Sequence, residues 1–305
     1  MSVVIDVVQV VSTIAFWLLI APLLPGVINK VKAWLAGRTG PPVLQLYFDL
    51  KRLWRKEVVL STAVSPLHVM GPAIAFVALI GASLLLPLGR AGAPLAFEGD
   101  AVLFVYLLAL ARFATSAAAL DTGSAFEGMG AAREVSFAVL AEAAIITALL
   151  ALSVQTGSVS LTEMLAPAAG PGTVLLAAGL YMVLLAENCR VPFDDPNTHL
   201  ELTMIHEVMV LDHSGPPLAV ILHGAALKLL IFCVLLTEAV LPLGGLSPAV
   251  VIVALAGAVL LTAVAVGVVE SMQARLPFRR VPMLLTTAFL LCLFALMIAW
   301  AGNPQ

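Results

Sequence analysis

Apolar residues run in blocks of about twenty along this chain, the length a helix needs to cross the hydrocarbon core of a bilayer. Eight blocks stand out, near residues 3–25, 66–88, 101–120, 134–153, 173–187, 217–240, 247–269 and 282–301. The fifth is short and ends in the polar run Glu187-Asn188-Cys189-Arg190. Helices are the expected form, because backbone polar groups facing lipid must be satisfied within their own segment. The alternating ten-residue strands of a membrane barrel are missing. A further stretch has helical period but two faces. Val43, Leu46, Tyr47, Leu50, Leu53 and Trp54 share one side, and Lys51, Arg52, Arg55 and Lys56 take the other. This predicts an amphipathic basic helix in the interface plane, begun by the rigid turn Gly40-Pro41-Pro42. It is either a headgroup anchor or a platform for a soluble partner.

Composition agrees with the pattern. Of 305 residues, 62% are apolar and 11% charged, against roughly 25% charged in soluble domains. Mean hydropathy is +1.10. The expected fold is an all-α polytopic membrane protein, a single transmembrane domain over residues 1–305. The first residues carry no positive region and no small-residue cleavage site, so the first block is expected to be a retained span. Net charge is −3, with no basic patch suited to nucleic acid. Cys189, Cys233 and Cys292 stand alone in the sequence. They build neither a zinc site nor an iron–sulfur cluster by themselves. No metal site, catalytic residue or redox centre of the chain's own is expected.

Charge sets the orientation. The loop after the first block carries Lys30, Lys32, Arg38, Lys51, Arg52, Arg55 and Lys56. Arg133, Arg190, and the group Arg275, Arg279 and Arg280 follow in the third, fifth and seventh loops. The opposite loops carry Arg90 alone. By the positive-inside rule the basic loops are expected to face the cytoplasm and both termini to lie outside; the membrane expected is the cell (inner) membrane.

Ionisable residues inside the blocks are the candidate chemistry, since each costs on the order of 2.5–3.5 kcal/mol at bilayer depth on insertion scales. They are Arg112 in the third block, Glu134 and Glu142 in the fourth, Glu187 at the end of the fifth, and His223, Lys228 and Glu238 in the sixth. Glu134 and Glu142 lie about 80° apart around a helix at 100° per residue. Either these groups pair as structural ions, or they form a buried proton path, in which a carboxylate of raised pKa takes and releases protons. Acids and bases on four successive blocks favour the path.

The segment after Glu187 is the richest in polar residues. Pro192 and Pro196 are expected to hold it extended, and Asp195 or Asn197 to cap a helix from about residue 198. That helix would gather His199, Glu201, His206 and Glu207. A metal motif is not formed, because Val210 stands where the second His of HExxH belongs. A solvated face and a hydrated funnel of titratable groups are the remaining readings, and the neighbouring intramembrane acids favour the funnel.

Arg190-Val191-Pro192-Phe193-Asp194, then Glu201-Leu202 and Ser214-Gly215, resembles subunit 1 of respiratory complex I, the NADH–quinone oxidoreductase. The run Asp195 to Glu207 looks like the branch found in membrane-bound nickel–iron hydrogenases, which includes formate hydrogenlyase subunit 4 and hydrogenase-4 component C. Gly40-Pro41-Pro42 with Gln45, Asp49 to Leu53, Leu120 to Phe126, Gly128-Met129-Gly130 and Arg133-Glu134 fit that branch too. Leu46 replaces a proline usual after the glutamine. Asn197 and His199 stand where the quinone-reducing branch carries further glutamates, which speaks against a quinone site.

The resemblance implies a subunit at the heel of a membrane arm. It would dock a soluble arm and couple redox energy to proton or sodium movement. It carries over ion-path roles for Glu134, Glu142, Glu201, Glu207 and Asp212, to which the cost of ionisable residues inside the apolar blocks adds Glu187, Lys228 and Arg112. It carries over loop roles for Arg190 and Asp194; the polar segment itself adds Asp195, His199 and His206, and the basic amphipathic helix adds Arg52, Arg55 and Lys56 as docking candidates. The implied partners are the hydrogenase large and small subunits, other antiporter-like membrane subunits, and lipid. The nickel–iron centre and iron–sulfur clusters would sit on those partners, with no cofactor on this chain. The alternatives are a quinone-site subunit of an NADH dehydrogenase-like complex, a stand-alone secondary transporter and a passive anchor.

Overall fold

In a computed structural model the apolar blocks are helices, and the chain is an all-α, multi-pass membrane bundle. The structure describes residues 2–89, 92–166, 170–194, 204–242 and 247–302. Arg90, Asp195, Pro196, Asn197, His199, Glu201 and the expected helix start near residue 198 lie outside the described residues. In chain order the helices are α1 (Ser2–Ile20), α2 (Leu23–Leu35), α3 (Gln45–Leu53), α4 (Pro66–Leu84), α5 (Asp100–Asp121), α6 (Ala125–Thr156), α7 (Leu161–Met164), α8 (Thr173–Glu187), α9 (Gly215–Val240), α10 (Pro248–Met272) and α11 (Val281–Gly302). Among the described residues seven helices are long and apolar enough to cross a membrane, with α1 and α2 counted as one broken span, and α8 is a shorter apolar helix.

The first span is longer than the sequence pattern predicts and is broken. α2 carries Lys30 and Lys32, which are therefore helical rather than in a loop. The break follows from Pro22, which has no N–H to donate to the carbonyl four residues earlier. That carbonyl, on Leu18, accepts instead from His223 Nε2 at 3.0 Å. The next carbonyl, on Leu19, accepts from the Tyr47 hydroxyl. His223 thus satisfies the carbonyl that the proline leaves open, and Tyr47 the next one along the break. The expected amphipathic helix is α3. Leu50 and Leu53 are buried on it and pack with Ala219 of α9, whereas Trp54, expected on the apolar face, is exposed.

Small residues bring the helices close, as is usual where lipid supplies no hydrophobic drive between spans. A Cβ on Gly71 of α4 would lie 2.7 Å from Ala118 Cβ of α5, and one on Gly179 of α8 would lie 2.5 Å from Cys292 Sγ of α11. Cys233 and Cys292 are fully buried packing residues.

Two helix lengths position the functional groups. α6 has 32 residues, about 48 Å, more than the roughly 30 Å of hydrocarbon. It begins at Ala125, well before the expected start near residue 134. α8 has 15 residues, about 22 Å. It ends inside the bundle, and the chain from Asn188 to Asp194 turns there with Val191, Phe193 and Asp194 buried. The extended stretch expected around Pro192 is not formed, and the chain turns there instead. Irregular backbone at this depth is tolerated because protein surrounds it. Beyond residue 203 the expected α-helix is likewise replaced by a bend and a short 3-10 turn, Glu207–Val210. That turn rests on α6 at Gly130, where a Cβ would come within 2.3 Å of a Val208 methyl.

Candidate functional site

Five of the ionisable residues singled out in the sequence meet in one cluster. Arg112, in the middle of α5, is the hub. Its Nη1 donates to Glu142 of α6 and its Nη2 to Glu187 of α8, while its Nε lies 3.6 Å from Glu134 Oε1. A planar guanidinium with five donors can serve several carboxylates at once, which an ammonium cannot do with the same geometry. Lys228 Nζ of α9 lies 2.8 Å from the second oxygen of Glu187. Four helices therefore converge on three acids and two bases. Burial grades across them. The Glu187 side chain is 2% exposed and that of Glu142 36%.

The cluster borders a cavity of about 310 Å³. Arg112, Glu134, Glu187 and Lys228 line it, as do Asn188, Cys189, Arg190, His206 and Glu207 from the segments between α8 and α9. Its other wall is apolar, with Pro25 of α2, Leu46 of α3, and Phe76 and Leu79 of α4. Among the described residues no group of three or more His, Cys, Asp or Glu converges as a metal site would require.

The remaining site residues scatter. Asp212 is exposed, and its backbone N–H donates to Glu127 Oε1 at 3.0 Å. Arg52, Arg55 and Lys56 are exposed, with Arg52 3.0 Å from Asp49. Asp194, expected on a docking loop, is buried. It accepts from the N–H groups of Ile205 and His206 and lies 3.1 Å from Arg275 Nη2. Arg190, expected beside it, turns inward to Glu270. Glu238 is buried and accepts from the Gly89 N–H at 2.6 Å.

Three features escape a reading of the sequence. Glu270, in the last turn of α10, pairs with Lys32 Nζ at 2.7 Å and with Arg190 Nη1 at 3.3 Å. The apolar block, ending near residue 269, stops one residue short of it. Glu127 is fully buried at the start of α6, in what the pattern marks as loop. His68 and His213 stack, with ring centroids 3.9 Å apart and planes within 6°. Burial and the neighbouring His68 push His213 down from 6.5 to about 4. The only signal for this pair is two histidines flanking helix starts, which is too common to be specific.

Fold and cluster together define a multi-pass helical membrane protein with a buried ionic network opening to a cavity. The NADH dehydrogenase family description matches residues 8–301, and the chain belongs to that family. It is 31% identical to hydrogenase-4 component C of Escherichia coli (strain K12) over 74% of this chain and 73% of the relative. It is 29% identical to formate hydrogenlyase subunit 4 of the same organism, over 74% of each chain. A subunit of the NADH-quinone oxidoreductase of Chlorobaculum tepidum is 28% identical over 63% of this chain and 58% of its own length. In fold, a chain of the membrane-bound sulfane sulfur reductase, an archaeal respiratory membrane complex, superposes with a TM-score of 0.80 at 20% identity, covering 97% of this chain and 99% of that one.

Proposed function

We propose that this chain is the membrane-anchoring, ion-conducting subunit of a group 4-type membrane-bound nickel–iron hydrogenase or hydrogenlyase complex. The observation that carries the reading is the Arg112 cluster, with three acids against two bases at the head of a cavity that His206 and Glu207 also line. Three carboxylates share two cations, which leaves one excess negative charge that a proton can neutralise. The likeness to hydrogenase-4 component C and formate hydrogenlyase subunit 4 supports the hydrogenase branch. In this reading the basic end faces the cytoplasm of the inner membrane, and both termini lie outside. Hydrogen chemistry occurs on large and small subunits that carry nickel–iron and iron–sulfur centres, beside antiporter-like membrane subunits. The ion enters past Glu207, and past Glu201 in the segment before it. It reaches Glu134, Glu142 and Glu187, while Arg112 and Lys228 balance charge.

The test is purification in mild detergent, partners identified by mass spectrometry and nickel and iron assayed. It is joined to hydrogen-dependent ion movement in vesicles. Co-purification of hydrogenase subunits with nickel supports the reading, and a chain isolated without them overturns it. A second reading, a quinone-site subunit, is favoured by the apolar wall of Leu46, Phe76 and Leu79. Photolabelling of that wall by a quinone analogue would select it.

A further inference from the structure

Glu270 joins two parts of the cavity wall that belong to distant segments. Its side chain is fully buried, with one oxygen 2.7 Å from Lys32 Nζ on α2 and the other 3.3 Å from Arg190 Nη1. One helical turn earlier, Gly267 lets α10 lie against α2. A Cβ there would stand 2.9 Å from Val31 Cβ and 3.2 Å from the Ile28 carbonyl oxygen. α2 is the detached half of the first span, and it lines the cavity through Pro25 and Asn29. On its other side, a Cβ on Gly26 would meet the Val43 carbonyl oxygen at 1.9 Å, so α2 is held from two directions. Arg190 lines the same cavity as Glu134 and Glu187, yet its ion pair is with Glu270.

We propose that Glu270 is a positioning residue, one carboxylate that clasps the broken first helix to α10 and holds the Arg190 guanidinium on the cavity wall, apart from the Arg112 cluster. A buried carboxylate between two cations fixes both directions at once. When it is neutralised, Arg190 faces a low-dielectric cavity that holds Glu134 and Glu187 and is drawn to them. The geometry of the clasp does not depend on which ion, or whether any ion, crosses the protein.

The native thiol of Cys189 reports on it. Cys189 is partly exposed at the cavity beside Arg190, whereas Cys233 and Cys292 are fully buried. Maleimide alkylation of Cys189 is followed by peptide mass spectrometry in membranes holding the assembled complex, without turnover, so the outcome is separate from that of the ion-conducting reading. Glu270→Gln should raise the rate by roughly threefold or more, since a released cation and a looser wall both favour the thiolate's reaction. Glu270→Asp should restore the wild-type rate. An unchanged rate in Glu270→Gln overturns the proposal. Should that variant fail to accumulate, the exchange Lys32→Glu with Glu270→Lys decides. It keeps an α2–α10 ion pair but sets a cation against Arg190, so the rate should again rise. A wild-type rate there shows that Glu270 does not position Arg190.

Discussion

Lys228 Nζ and Glu187 Oε2 stand 2.8 Å apart inside the bundle, where α8 and α9 bring the two to the same depth. Lys228 lies about 20 Å along α9 from Gly215 at 1.5 Å per residue. Glu187 is the last residue of the 15-residue α8, about 21 Å along it from Thr173, so it too lies within the bundle. Since breaking a buried pair by removing one partner costs about 3–5 kcal/mol, Lys228→Met should destabilise the bundle strongly. The double variant Lys228→Met with Glu187→Gln should recover part of that loss. Thermal unfolding in detergent of the two single variants and the double measures the coupling.

Glu142 is the most open acid of the cluster, so its loss should disturb folding least. In the proposed hydrogenase complex, Glu142→Gln is expected to leave assembly and dye-linked hydrogen oxidation near wild type while abolishing hydrogen-dependent proton or sodium movement in vesicles. Normal movement would take Glu142 out of the path.

His223 and Tyr47 close the carbonyls that the proline break exposes. Removing a side-chain donor and leaving a buried acceptor unmet costs about 1–3 kcal/mol. His223→Leu should therefore lower the thermal midpoint. Replacing Pro22 with Ala in the same chain should restore much of it by returning the N–H that Leu18 lacks. An equal loss in both backgrounds would mean that His223 stabilises by packing alone.

The stack of His213 on His68 gives an acid-side prediction. His68 comes from the start of α4, with Asp121 of α5, Glu127 of α6 and Asp212 nearby. His213 titrates at about 4 when folded, against 6.5 ordinarily, so the unfolded chain binds the proton more readily. Its contribution is therefore present above about pH 6.5 and is lost as pH falls toward 4. His213→Phe keeps a ring on the stack and removes the titration. Its unfolding midpoint should fall less steeply between pH 7 and about 4.5 than that of the wild type.

Docking and topology are tested together at the surface. Arg52, Arg55 and Lys56 are exposed, and reversing all three to Glu should release the proposed soluble arm at moderate salt. Each basic residue near an anionic surface contributes about 1 kcal/mol. Reporter insertions at Gly37 and Gln273 should read cytoplasm, and those at Gly92 and Gly157 outside. Gly37 and Gly92 on the same side, or Gly92 and Gly157 on opposite sides, would break the membrane topology.

The spans, the amphipathic α3 and the identities of Arg112, Glu134, Glu142, Glu187 and Lys228 were legible in the chain. Hydropathy is a sum over a local window, and a charge inside such a window announces itself by its cost. Partners were not legible. Glu187 meets Lys228 because α8 and α9 bring the two to the same depth, and Arg190 turns to Glu270 because α8 ends inside the bundle and α10 runs past its apolar block. Glu127 looked like loop because α6 extends beyond the hydrocarbon, where composition no longer marks a helix. Ion pairing and stacking depend on the depth at which non-adjacent helices cross, and only the tertiary structure sets that depth.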